Sequence, residues 1–493
     1  MAGYSTSTRV VELSWKPDKE SKIPAYRQII DYMSTKISKG DWTIGSVLPS
    51  QRAMARIFGV NRSTVVMALQ ELESFGIIKG EVGKGTQVIS NTWSLLMSAS
   101  TPDWSQYLRS GLFKENIPTI RMINKMEFEE GILRLGTGEL SPRLYPDQMM
   151  EKVFSRLPHA ISSLNYVEPL GLLELREVIC EKLKQKGIHC KPTNVLITSG
   201  SLQALQLISV SMLHQGSSIF TEAPSYIKSL QVFQSAGMRL LGVPMDREGI
   251  QYWKIASERT GREEALLYTI PTFHNPTGYV MSPRRRKELF NFCTDTRLPI
   301  IEDDAYGDLW IDEAPPLPLK SMDKNGMILY VGTISKSLFP GLRVGWMVGS
   351  ESVVDRLGDV KMQMDYGASS VSQWILKEIL SSDVYDRYMN TTRSALKKRR
   401  DTMLTALETY FRELADWETP KGGFYIWLTL RNHISVDKLF RQALQEKILL
   451  NPGSIYDFKR SNTLRLSYAY VDEDKMMVSV GRLAAIVATC SIE

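Results

Sequence analysis

Lys336 stands in Gly332-Thr-Ile-Ser-Lys-Ser-Leu-Phe-Pro-Gly-Leu-Arg-Val-Gly-Trp346, just after an apolar run, Met327 to Val331, that predicts a buried strand. Thr333, Ser335 and Ser337 flank it, and Arg343 follows seven residues on. A lysine drawn out of water loses its proton readily, and the free amine attacks a carbonyl. Hydroxyls beside a guanidinium are the donors a phosphate needs. Alone, the pattern also describes a solvated lysine in a surface loop; its meaning comes from similar clusters elsewhere. Val195-Leu-Ile-Thr-Ser-Gly-Ser-Leu-Gln-Ala204 reads as a strand, a glycine turn and a helix start, where free backbone amides can face an anion. Tyr226 follows the strand-like Ile219-Phe-Thr-Glu-Ala, and Asn275-Pro-Thr-Gly278 ends the run from Leu266. Pro299-Ile-Ile-Glu-Asp-Asp-Ala-Tyr306 ends another strand in acids followed by a tyrosine. Each cluster falls where a strand ends, the place at which open α/β sheets bind ligands.

The elements that must position these groups begin near Leu133. From there apolar strands alternate with amphipathic helices to the C-terminus, the pattern of a mostly parallel sheet covered by helices. Residues 1–90 read differently. Tyr26, Ile29, Ile30, Met33 and Ile37 mark one helix face between Pro24 and Gly40. Ser50 caps a second helix ending at Gly59, and a third runs from Arg62 to about Phe75 with Val65, Ala68, Leu69 and Leu72 inward. A tight turn at Val60-Asn61 joins the last two, the helix-turn-helix arrangement in which the start of the second helix meets base edges. Ile77-Ile-Lys79 and Gln87-Val-Ile89 bracket a thin hairpin tip at Glu81-Val-Gly-Lys-Gly-Thr86. Between Asn91 and Met126 there is no clean periodicity, so residues 91–126 form a linker, apolar enough through Trp93, Trp104 and Phe113 to dock or else only to tether.

At 493 residues the chain needs more than one core. Of the net charge of +6, +4 falls in residues 1–90, a bias that permits nucleic-acid binding. No apolar run reaches membrane-spanning length, and Met1 to Glu12 lacks a signal-peptide pattern, so the expected location is the cytoplasm. Cys180, Cys190, Cys293 and Cys490 lack CxxC spacing and read as reduced thiols; the five histidines show no metal spacing.

Leu48-Pro-Ser-Gln-Arg52, Val60-Asn-Arg-Ser-Thr-Val65 and Gly83-Lys-Gly-Thr86 resemble the winged helix-turn-helix of GntR-family bacterial regulators. The resemblance implies contacts to double-stranded promoter DNA from Arg52, Arg62, Ser63, Thr64 and the wing at Gly85. Winged helices also serve as protein-interaction modules, but three parts of the pattern occur in order. The strand-end clusters together resemble a fold-type I aminotransferase that binds pyridoxal 5′-phosphate (PLP), over 127–493, with a mostly parallel major sheet and a small α+β C-terminal subdomain. That resemblance implies that Lys336 forms the Schiff base and Asp303 pairs with the pyridine nitrogen. It also implies that Asn275 and Tyr306 bind the ring oxygen and Tyr226 stacks on the ring. Ser201, the Leu202 amide, Gln203, Thr333 and Arg343 then take the phosphate. Asn462-Thr-Leu-Arg465 resembles the segment whose arginine grips a substrate carboxylate. Gly422-Gly-Phe-Tyr-Ile-Trp427 matches a small-domain strand near the substrate, or a buried strand without ligand contact. His274 reads as structural, and alternation turns Glu302 and Asp304 away from the cofactor.

A GntR-type head before an aminotransferase-like domain resembles the MocR-type bacterial regulators. The implied function is a homodimeric, PLP-dependent transcription regulator that senses PLP or a small amino compound through an aldimine at Lys336. The alternative is a working aminotransferase carrying an appended DNA-binding domain, because every residue the chemistry needs is present.

Overall fold

Three short helices with one apolar face each cannot be stable apart, and in the N-terminal unit they close on one another. Residues 10–81, 85–90, 111, 116–145, 147–258, 264–458 and 462–490 are described in the computed structural model. They fall into two units, Met1–Gly111 and Leu112–Glu493. In the first, α1 (Ala25–Ser38) buries Ile29, Ile30, Met33 and Ile37. The Ser50 hydroxyl accepts from the Ala53 amide at 3.3 Å and starts α2 (Gln51–Phe58), which Gly59 ends in a left-handed conformation. In α3 (Arg62–Ser74) the buried residues are Val65, Ala68, Leu69 and Leu72. Strands β1 (Val47–Leu48), β2 (Ile78–Glu81) and β3 (Gly85–Val88) form an antiparallel sheet in the order β1-β3-β2. Gly83 and Lys84 of the wing lie outside the described residues, as do Trp93, Trp104 and Phe113 of the linker.

The second unit opens with α4 (Pro118–Met126), a helix inside the stretch read from sequence as linker. Its large sheet is built from β4 (Val195–Thr198), β5 (Ser218–Ala223), β6 (Arg239–Asp246), β7 (Gly249–Ile250), β8 (Ala265–Thr269), β9 (Ile300–Asp303), β10 (Ile328–Thr333) and β11 (Gly345–Val348). The spatial order is β4-β11-β10-β9-β8-β5-β6-β7. Strands β10, β9, β8, β5 and β6 run parallel, whereas β11 is antiparallel to both its neighbours. Every residue of β8, β9 and β10 is buried, as a sheet covered on both faces demands. The register pairs Asp303 at the end of β9 with Val331 of β10, so the acid and Lys336 leave neighbouring strands at the same edge. A smaller antiparallel sheet joins β12 (Ala415–Asp416), β13 (Tyr425–Leu430), β14 (Asn451–Pro452) and β15 (Thr463–Ser467) in the order β12-β13-β15-β14. Its central strand β15 carries Arg465, opposite Trp427 on one side and Asn451 on the other.

All four cysteines are free thiols, although the fold brings the Sγ atoms of Cys180 and Cys190 to 3.5 Å. No helix among the described residues is long and apolar enough to cross a membrane.

One close approach shapes the sheet edge. A Cβ added at Gly345 would lie 2.8 Å from the carbonyl carbon of Gly200 and 2.9 Å from the amide nitrogen of Ser201. Strand β11 is thereby pressed against the start of α5 (Ser201–Ser211). Gly345→Ala is expected to lower the unfolding free energy of this unit by about 1–3 kcal/mol, the usual cost of overpacking. Gly341→Ala, whose added Cβ meets nothing within 4 Å, should leave it unchanged. Urea midpoints of the two variants check this; equal midpoints would contradict it.

Candidate functional site

Lys336 follows β10 and is half-buried, and its Nζ donates to the Gly138 carbonyl at 2.9 Å. The contact draws the amine into a cavity of about 210 Å³ that Tyr226, Asn275 and Arg465 also line. Asp303 is 7% exposed; its Oδ2 accepts from the Tyr268 hydroxyl at 2.7 Å, whereas its Oδ1 is buried without a hydrogen-bond partner among the described residues. Burial pushes the Asp303 carboxyl up to about 6, with the Tyr268 hydrogen bond opposing the rise.

Arg465 is the other buried charge. Its NH1 donates to Asn275 Oδ1 at 2.8 Å and its NH2 to the Gly136 carbonyl at 2.5 Å. The rings of Tyr425 and Tyr456 lie 4.1 and 4.7 Å from the guanidinium carbon. All these partners are neutral. Among the described residues Arg465 makes no ion pair, and its Nε has no partner. A buried guanidinium so held lacks the one thing that would repay its desolvation, an anion. Asn275 continues the network: its Nδ2 donates to the Tyr306 hydroxyl at 3.3 Å, which lies 2.9 Å from the Tyr425 hydroxyl. Tyr425 of β13, within the Gly422-to-Trp427 stretch, therefore has a place at the cavity wall.

A cluster of hydrogen-bond donors lies at the start of α5. Arg343 takes a left-handed backbone conformation, φ 52° and ψ 45°, rare outside glycine. That turn sends its guanidinium to the Ser199 carbonyl at 3.3 Å and to the Ser335 hydroxyl at 3.4 Å. Thr333 Oγ1 donates to Ser335 Oγ at 3.1 Å, so Ser335, unassigned from sequence, belongs to the same cluster. The first amides of α5, at Ser201 and Leu202, have no partner within the helix by its geometry. The Leu202 side chain is exposed and adds nothing. Gln203 departs from its expected place: its Oε1 accepts from the Ser199 amide at 2.8 Å and its Nε2 donates to Asp365, so the side chain is tied to its own turn.

Neighbouring groups read as structural from sequence have structural partners. Glu302 accepts from the Leu319 and Lys320 amides at 2.7 and 2.8 Å, and Asp304 accepts from Lys186 and the Tyr330 hydroxyl. His274 is buried, 2.9 Å from Thr277 Oγ1, and burial pushes it down to about 3. Sequence reasoning missed Asn451 and Tyr456 at the cavity, and with them Ile120, Ile123 and Asn124 from α4 and Glu127, which caps its C-terminus. The i, i+3, i+4, i+7 spacing of the last four was a signal, too short to register as a period.

In the first unit, Arg52 on α2 and Arg62 and Ser63 at the start of α3 are exposed, and Thr64 is half-buried. Arg62 is held by Gln51, whose Oε1 accepts from Nε at 3.3 Å and NH2 at 3.0 Å. Gly85 opens β3 at φ 83°. The arrangement presents a helix start with two nearby cations on one module.

Residues 130–483 match the family model described as aminotransferase class I and II, and residues 25–88 match that of bacterial regulatory proteins of the gntR family. The HTH-type transcriptional regulator YisV of Bacillus subtilis is 49% identical over 92% of this chain and 94% of its own. NorG of Staphylococcus aureus, also an HTH-type transcriptional regulator, is 34% identical over 87% of this chain and 96% of its own. Among solved structures, the kynurenine aminotransferase of Pyrococcus horikoshii, in complex with PMP, superposes with a TM-score of 0.74 at 30% identity, covering 79% of this chain and 98% of that one. LysN of Thermus thermophilus, an α-aminoadipate aminotransferase complexed with N-(5′-phosphopyridoxyl)-L-leucine, gives 0.71 at 31%, covering 78% and 98%. With both matches in one polypeptide, and relatives that share them end to end, the chain belongs to the MocR-type regulators, in which a GntR-type winged helix precedes an aminotransferase class I and II domain.

Proposed function

We propose that this regulator binds PLP at the sheet edge, senses a small amino compound there, and reads promoter DNA with its winged helix. The observation that carries the reading is the buried, unpartnered Oδ1 of Asp303 at the same strand ends as Lys336. A flat ring with a protonated nitrogen would satisfy that oxygen, and the phosphate fits the cup of α5 amides, Thr333, Ser335 and Arg343. When bound, PLP supplies a carbonyl for amines and an electron-withdrawing ring.

The chain's own residues do the rest. Lys336 offers its amine where Gly138 holds it, and Asp303 keeps the ring nitrogen protonated. Asn275 and Tyr306 orient the ring oxygen, and Tyr226 covers a face. Ser201 and the Leu202 amide, with Thr333 and Arg343, hold the phosphate, while the Gln203 amide donates to the Gly200 carbonyl at 3.2 Å. Arg465 receives the effector's carboxylate as a bidentate fork. In the DNA-binding unit Arg52, Arg62, Ser63, Thr64 and the wing at Gly85 make phosphate and base contacts. The protein acts as a homodimer, two heads meeting two half-sites; Tyr166 and Tyr366, 81% and 58% exposed with rings 4.9 Å apart, support an apolar contact face. The fully furnished site also keeps transamination in view: sustained keto-acid production from an amino donor would favour an enzyme, and a spectral change without turnover favours the regulator.

The two activities should separate. Lys336→Ala is expected to abolish covalent PLP capture, read by absorbance, while leaving affinity for a duplex selected from random sequences within about twofold. Arg62→Ala should weaken duplex binding by roughly ten- to a hundredfold, from a loss of about 1–3 kcal/mol, and leave the cofactor spectrum intact. Loss of both activities in either variant would contradict this.

The raised Asp303 carboxyl gives a pH test. Its folded value of about 6 exceeds the ordinary 3.8, so its contribution to stability is full below pH 3.8 and is lost as pH rises through 6. In the cofactor-free chain at pH 8 the ionised group costs roughly 3 kcal/mol. Asp303→Asn is therefore expected to raise the urea midpoint of the cofactor-free chain at pH 8, to leave it unchanged near pH 4, and to weaken PLP binding. An unchanged midpoint at pH 8 would show that Asp303 is not withheld from water.

A further inference from the structure

The wall of the cavity comes partly from the segment that leads toward the DNA-binding unit. Ile120 and Ile123 of α4 are 5% and 4% exposed, and with Asn124 and Glu127 they line the same cavity as Lys336 and Arg465. The four positions fall on one helix face. Glu127, at the C-terminal end of α4, is half-buried; its Oε1 accepts from the Thr137 hydroxyl at 3.3 Å, and among the described residues its other oxygen has no hydrogen-bond partner and its charge no ion pair. Glu139, exposed, adds a second carboxylate among the lining residues.

The charges in this cavity are thus of both signs and unpaired. Arg465 calls for a carboxylate, the Lys336 end takes an amine, and Glu127 calls for a cation. Two isoleucines beside Glu127 suit a methylene stem. A neutral side chain would leave Glu127 half-desolvated and unpaired, and an acidic one would be repelled. Resting on the reading that the site senses an amino compound, we infer that the effector is an α-amino acid whose side chain is an aliphatic stem ending in an ammonium or guanidinium group, selected by Glu127 at the C-cap of α4. Contact between that terminal cation and α4 also places the ligand on the element nearest in sequence to the DNA-binding unit.

The test is calorimetric titration of the full-length, PLP-loaded chain with L-ornithine, L-lysine and L-arginine against L-norvaline, L-norleucine and L-glutamate. At least one basic amino acid is expected to bind roughly ten- to a hundredfold more tightly than the neutral analogue of its length, the weight of one charge-assisted hydrogen bond, and glutamate more weakly still. E127Q should erase the difference between basic and neutral ligands, and Glu127→Asp should retain part of it. Equal binding of basic and neutral amino acids by the wild type, or an undiminished preference in E127Q, would overturn the selectivity and leave the sensing reading standing. If no amino acid of any class binds while the cofactor spectrum is normal, the sensing reading itself fails and the inference with it. The wild-type comparison decides the matter even if E127Q does not fold.

Discussion

Asp303, Lys336 and Arg465 are brought out of bulk water at one end of the molecule's large unit, and among the described residues none of them makes an ion pair. Withdrawing charge without pairing it opposes folding, so the surrounding structure must impose the arrangement. Parallel strands with fully buried residues do so for Asp303 and Lys336, because the β9–β10 register leaves no freedom in where the two strands end. For Arg465 the constraint is the central place of β15 in the small sheet, together with Asn275, which ties that sheet's arginine to the turn after β8. The polar lattice is neutral throughout. It orients the charges without neutralising them.

The same logic explains the backbone. A left-handed arginine and two glycines, Gly200 and Gly345, at which an added Cβ would lie 2.7 Å from the Arg343 guanidinium and 2.8 Å from the Gly200 carbonyl carbon, are poor choices for stability, and they cluster where the sheet edge meets the start of α5. Their joint effect is to put a guanidinium, two hydroxyls and free helix amides around one small volume, the donors on which the proposed phosphate contact rests. A ligand bound in this volume would offset the stability spent here.

Much of this was legible in the sequence because each cluster is local. Lys336 with Thr333 and Arg343, Asp303 with Tyr306, and Asn275 each follow an apolar run that fixes a strand, so residue type and position together state a chemistry. The helix-turn-helix was equally legible: Ser50, Gly59 and the period through Leu72 are cap, stop and face. What escaped was assembled by tertiary contact. Helix α4 has nine residues and no side-chain cap, so it carried little periodic signal, and nothing local told that Ile120 and Glu127 would face a cavity built from residues hundreds of positions away. Asn451 and Tyr456 arrive from a strand and turn whose only sequence mark is a short apolar run. Gln203 was read by position alone, and its side chain serves Ser199 because an amide one helical turn on satisfies that backbone group first. The antiparallel β11 was hidden as well, since strand direction leaves no trace in composition.

The central claim is that this chain, a DNA-binding regulator, holds PLP through one particular amine. Borohydride reduction of the full-length chain after incubation with PLP, followed by peptide mass mapping, tests it directly. One reduced pyridoxyl group per chain, on Lys336, is expected. Label spread over surface lysines, or an unmodified Lys336 in saturating PLP, would contradict it.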